Sequence, residues 1–169
     1  MKKNFFLSVL LLVFTGPAFS QDQDTTRQSV INIAERQLHA FIDPIPDNQV
    51  ADYGFRTKSE YKKIKLGDPI PVYTLEDSVM VFTQTWRVPI VVDQEYRSFL
   101  TVAIIGNVMQ ATDFGAMELA REYGRRKTGR TIGMLRSYIL HTDYLMEKGA
   151  ANELEFSPLI ETMSVPEKR

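Results

Sequence analysis

Cysteine is absent from this 169-residue chain, and histidine occurs only twice. The first absence excludes disulfides, thiol catalysis, cysteine-ligated metals and a lipid-modified cysteine, so stability must come from burial alone. With His39 and His141 as its only imidazoles, the chain offers few nitrogen ligands. An Asp143 on the same strand face as His141 makes two ligands, where a structural zinc takes four and a catalytic one usually three. Neither charge sign dominates: 20 basic residues stand against 21 acidic ones. That balance gives no general reason to bind nucleic acid or an anionic membrane. A GxSxG nucleophile elbow, internal repeats and low-complexity segments are also missing.

Only one long apolar run is present, FFLSVLLLVF at residues 5 to 14. It falls short of the roughly 20 residues of a spanning helix. Lys2 and Lys3 precede it, Gly16-Pro17 breaks it, and small residues stand three and one positions before a cut after Ser20. This is the order of a secretory signal peptide over residues 1 to 20. The expectation is an exported chain, periplasmic or secreted, with no stable membrane insertion once the signal is removed. Loss of Lys2 and Lys3 leaves 18 basic against 21 acidic residues. The remainder has the length of one domain with a core large enough to fold unaided.

Within that remainder, residues 21 to 24 read as a flexible lead-in, 25 to 163 as one α+β domain, and 164 to 169 as a frayed tail. Thr25 and Gln28 form a capping pattern, and Val30, Ala34, Leu38 and Phe41 recur at helical spacing, with Ile31 and Ile42 beside them. Asp43-Pro44-Ile45-Pro46 stops this helix. A second capping pattern, Thr57 with Glu60, opens a short helical turn that Gly67 closes, and residues 69 to 75 read as a first strand.

From residue 79 the period changes to two. Met80, Phe82, Gln84, Trp86, Val88, Ile90 and Val92 alternate with a more polar set, and a following strand carries Tyr96, Ser98, Leu100, Val102 and Ile104. A two-residue turn puts Ile90 opposite Arg97 and Trp86 opposite Thr101, mixing the faces, so the expected register is that of a three-residue turn, Asp93-Gln94-Glu95, which pairs Val92 with Tyr96, Val88 with Leu100 and Trp86 with Val102. Gly106-Asn107 fits a type II′ hairpin that puts Met109 and Ala111 on the apolar side. The even face is therefore core beneath the first helix.

The opposite face carries Arg87, Pro89, Val91, Arg97, Phe99, Thr101, Gln110 and Thr112. Two readings of this mixed face stay open, a solvated surface partly shielded by a loop and a recognition surface for a partner built on Arg87, Arg97, Phe99, Thr101 and Gln110. Beyond it, Asp113 reads as the N-cap of a second helix over 116 to 127 that buries Met117, Ala120 and Tyr123. Residues 131 to 146 read as one long strand, and residues 154 to 160 as a last strand placed at an edge by Pro158.

The chain's one cationic cluster is Arg121, Arg125, Arg126, Lys127 and Arg130. Cations there complement a helix C-terminus and pair with Glu118 and Glu122. The functional alternative is an anion site for a glycan acid, a lipid headgroup or an acidic protein. Gly124 to Thr131 matches a phosphate-binding loop except for arginine in place of lysine, but the order helix then strand is the reverse of what that loop requires. Asp113-Phe114-Gly115 lacks the other kinase motifs.

A leading amphipathic helix on a curled antiparallel meander, with a second helix before the C-terminal strands, resembles in topology the small secreted cystatin-like domains, PepSY-type domains among them. The resemblance covers residues 25 to 112. It implies a protease as one class of partner. The resulting expectation is a non-catalytic binding module for an envelope or secreted protein or peptide, without cofactor or metal. The alternatives are a ligand-holding or sensor-like domain and a hydrolase with a cleft converging on Asp113, Glu118 or His141.

Overall fold

Left-handed residues pin the hairpins of this protein. In a computed structural model that describes residues 18–150 and 152–159, Asp77-Ser78, Asp93-Gln94 and Gly106-Asn107 each hold two consecutive positive φ angles. That is the type I′ geometry, whose twist matches that of paired strands. The Gly106-Asn107 turn is thus type I′ rather than II′. Most of the expected signal segment, and the tail from Ser164, lie outside the described residues.

Helix α1 spans Ala18–Ile42. It starts ahead of Thr25, and residues 21 to 24, expected as a lead-in, are helical; no proline or glycine between Ala18 and Asp43 interrupts them. Two 3-10 turns follow, Asp47–Tyr53 and Lys58–Lys63. The strands are β1 Lys65–Leu66, β2 Ile70–Glu76, β3 Val79–Val92, β4 Glu95–Ile105 and β5 Val108–Gly115. Helix α2, Met117–Arg126, leads to β6 Thr131–Ser137, β7 Thr142–Lys148 and β8 Leu154–Pro158. They form a mostly antiparallel sheet in the order β5-β4-β3-β2-β6-β7-β8, with β1 beside β3 and a parallel pairing of β2 with β6.

The β3–β4 turn is one residue shorter than the expected three-residue turn, and Val92 does not pair with Tyr96. Asp93-Gln94 is a two-residue turn that pairs Val92 with Glu95, and a bulge then shifts the ladder so that Val91 faces Tyr96 and Ile90 faces Ser98. Arg97 is the extra residue. The bulge restores Val88 opposite Leu100 and Trp86 opposite Val102, so the faces stay unmixed, and it moves Tyr96 to the side away from α1.

The even face is core. Trp86, Val88, Ile90, Leu100, Val102 and Phe114 pack with Val30, Ala34, Leu38 and Ile42 of α1 and with Phe55. Helix α2 covers the other face, where Leu119, Ala120 and Tyr123 pack with Ile70, Phe99, Met134 and Leu145. Two boundaries differ from expectation. Asp113 lies in β5 and not at an N-cap, because β5 runs on to Gly115 and Ala116 enters α2 in the left-handed region. The run from 131 to 146 is a hairpin: Ser137 Oγ accepts the Leu140 amide, and His141 turns the chain at a positive φ. Pro158 does lie on the edge strand.

The sheet has two unlike ends. One carries the tips of β2–β3, β4–β5 and β6–β7, with exposed Val79, Met80, Ile105, Val108, Ile139 and Leu140. The other carries the Asp93-Gln94 turn, where the polar chemistry collects.

Candidate functional site

Arg97 and Arg87 stand on the sheet face considered above for recognition, and that face is covered. Arg87, Arg97 and Phe99 are 7%, 5% and 1% exposed. Phe99 lies under the Tyr123 ring of α2, at 5.8 Å between centroids. A mixed composition on one strand face looks the same whether water or protein lies over it; here α2 lies over Phe99, while Arg87 is buried against Asp143 and Arg97 against Glu60. Thr101 and Gln110 are half-buried on β4 and β5.

The two buried arginines are neutralised separately. Arg87 reaches Asp143 at 3.4 Å, and Arg136 grips the same carboxylate through Nε and Nη2 at 2.9 and 3.1 Å. Burial pushes the Arg87 guanidinium below its ordinary pKa, opposed by Asp143, whereas the hydrogen bond to Asp143 raises that of Arg136. Asp143 is thereby committed to two cations, and His141 is exposed in the adjoining turn. His39, placed near the buried side of α1 by its spacing, is exposed beside Asp43 at 3.0 Å.

Arg97 has a different environment because it occupies the bulge. Its Nη2 lies 2.9 Å from Glu95 and 3.4 Å from Glu60, and its Nη1 donates to the Gly54 carbonyl at 3.4 Å. Its Nε is buried without a hydrogen-bond partner. Gly54 is required at this approach: φ is +91°, and an added Cβ would stand 2.2 Å from the Arg97 carbonyl oxygen. The Thr57 and Glu60 pair does not close as a capping box. Thr57 makes no side-chain cap, and the buried Glu60 carboxylate accepts the Arg56 amide at 2.7 Å while facing Arg97.

Around this point the structure opens a cleft of about 650 Å³ between the 51–56 segment, the β3–β4 turn and α2. Four arginines line it: Arg56, Arg97, Arg121 and Arg125. Among the described residues Glu95 is the one carboxylate in the lining, and Phe55 and Tyr96 supply aromatic wall. Other carboxylates hold the arginines from outside it. Glu118 pairs with Arg121 and Glu122 with Arg125, each at 3.1 Å. The hydrogen bond from Arg126, followed by that from Arg125, lowers the Glu122 pKa.

Of the cationic cluster, the structure brings Arg121 and Arg125 to the cleft and leaves the others outside its lining. Arg126 bonds Glu122 and the Pro158 carbonyl, Lys127 lies over the Tyr96 ring, and Arg130 faces Glu155. Arg56, Glu60 and Glu95 were not singled out from sequence. The spacing of Thr57 and Glu60 was the only local signal, and it pointed to a cap.

Asp113, Glu118 and His141 stand on β5, α2 and the β6–β7 turn, and none lines the cleft. Among the described residues, no group of three His, Asp or Glu stands together as a metal site would require, and no helix is long and apolar enough to cross a membrane. Compared with protein-family models, curated proteins and solved structures, the chain matches none. Arginine side chains lining a partly apolar concavity are suited to hold carboxylates, since a guanidinium can offer two parallel N–H bonds.

Proposed function

We propose that this protein is an exported, non-catalytic binding domain whose arginine-lined cleft takes a carboxylate-bearing ligand, an acidic peptide segment above all. The observation that carries this reading is the lining itself, four arginine residues against a single acidic one among the described residues. The volume is within the range of small-ligand sites, and Phe55 and Tyr96 offer apolar contact beside the charges. Export is supported by the leader pattern at residues 1 to 20. An acidic stretch on an envelope or secreted protein is the natural source of such a peptide. Binding thus moves from the centre of the sheet face, which α2 occupies, to its end, where Arg97 meets the cleft.

The test is calorimetric titration of a tetraglutamate peptide at low ionic strength, where exposed charges are least screened. Saturable binding that falls at least tenfold in an Arg121→Gln, Arg125→Gln variant that still unfolds cooperatively supports the reading. Absence of binding into the millimolar range, or equal binding by the variant, refutes it.

A further inference from the structure

Glu95 already occupies the place where a ligand carboxylate would sit. It is the first residue of β4, fixed by the type I′ turn before it. Its side chain, 56% exposed, lies between two guanidinium groups: Arg97 at 2.9 Å, 6% exposed, and Arg56 at 3.6 Å, 71% exposed. The other contacts of Arg97 are longer, and its Nε is unpartnered.

We propose that Glu95 is an intramolecular stand-in for the ligand, a competing carboxylate that an incoming one displaces from Arg56 and Arg97. The proposal rests on the cleft reading and adds its regulation. Displacement costs little because ion pairs with a foot in water contribute little. It leaves no bare charge, because Glu60 stays on the buried side of Arg97 and continues to neutralise it. Once Glu95 swings out, the cleft presents four arginines and no lining carboxylate, and the ligand inherits a site already held in shape by Glu60, Glu118 and Glu122. Affinity is thereby set below what the arginines alone would give, and only a ligand with more than one carboxylate gains enough from Arg121 and Arg125 to win.

The experiment titrates tetraglutamate into the full chain and into two variants, Glu95→Gln and Glu76→Gln. Glu76 is exposed at the opposite end of the sheet, so its variant makes the same change in net charge without touching the cleft. The expected result is binding about fivefold tighter for Glu95→Gln, the equilibrium worth of one exposed ion pair, and unchanged for Glu76→Gln. If the native chain binds and Glu95→Gln binds no tighter, Glu95 is not a competitor, although the cleft still is a site. Equal tightening in both variants makes the effect one of net charge and also overturns the proposal. No binding by any of the three removes the cleft reading together with it.

Discussion

Replacing Arg97 with methionine removes a buried cation while keeping most of its volume. The side chain is 6% exposed and faces a Glu60 side chain that is 10% exposed. In the variant, Glu60 retains the Arg56 amide at 2.7 Å and loses its only cationic partner within 4 Å among the described residues. Removing one partner of a buried pair costs about 3–5 kcal/mol, because the remaining charge stays desolvated. The 3.4 Å separation places this case near the lower end, about 3 kcal/mol, and the exposed contact to Glu95 adds little. For a domain of this length that corresponds to a fall of roughly 10 °C in unfolding temperature. Urea unfolding of the native chain, Arg97→Met, Glu60→Gln and the double variant forms a cycle. The side-chain amide oxygen introduced by Glu60→Gln would still accept the Arg56 amide, so the double variant should lose about 1–3 kcal/mol less than the sum of the single ones. An Arg97→Met cost within about 0.5 kcal/mol would show that water reaches Glu60 and that the pair is not buried.

Trp86, 7% exposed within the α1 core, should cost about 3–5 kcal/mol on truncation to alanine, read from the urea midpoint; a cost under about 1 kcal/mol refutes its placement. The Tyr61 hydroxyl is buried without a partner, and burial is the first cause of its raised pKa. Tyr61→Phe should therefore leave stability unchanged or raise it by about 1 kcal/mol, and a comparable loss would reveal a partner for the hydroxyl. Glu122 has a pKa lowered by Arg126 and Arg125, so its contribution is present above the ordinary value of 4.5 and fades as pH falls through its folded value. Unfolding temperatures of the native chain and Glu122→Gln should differ at neutral pH and converge in acid; a gap that persists there would contradict the ion-pair account.

Local pattern was enough for much of this architecture. Val30, Ala34 and Leu38 mark the buried stripe of α1, which continues through Ile42 with the expected Phe41 only half-buried, and the alternation through Trp86, Val88 and Ile90 marks the face it covers, because side-chain direction follows backbone period. Pro158 identified an edge strand because it cannot donate to a ladder. The hairpin at 138 to 141 escaped notice, since Tyr138, Ile139 and Leu140 have strand composition while standing exposed in a turn.

Length, the missing cysteines, the near-balanced charge, the helix-then-meander order and the core face were determined by the sequence alone, since each depends on composition or on neighbours along the chain. What buries Arg87, Arg97 and Phe99 was decided by tertiary structure, because the answers lie off the meander's own strands: Asp143 on β7 for Arg87, Glu60 in the second 3-10 turn for Arg97, and Tyr123 of α2 for Phe99. The bulge at Arg97 was also a tertiary decision: it reconciles a two-residue turn with two faces that must both be buried. The cleft is the most distant of these consequences. Arg56, the Glu95 and Arg97 pair of β4, and Arg125 are far apart along the chain, and only the approach of the 51–56 segment and α2 to the β3–β4 turn brings them around one space.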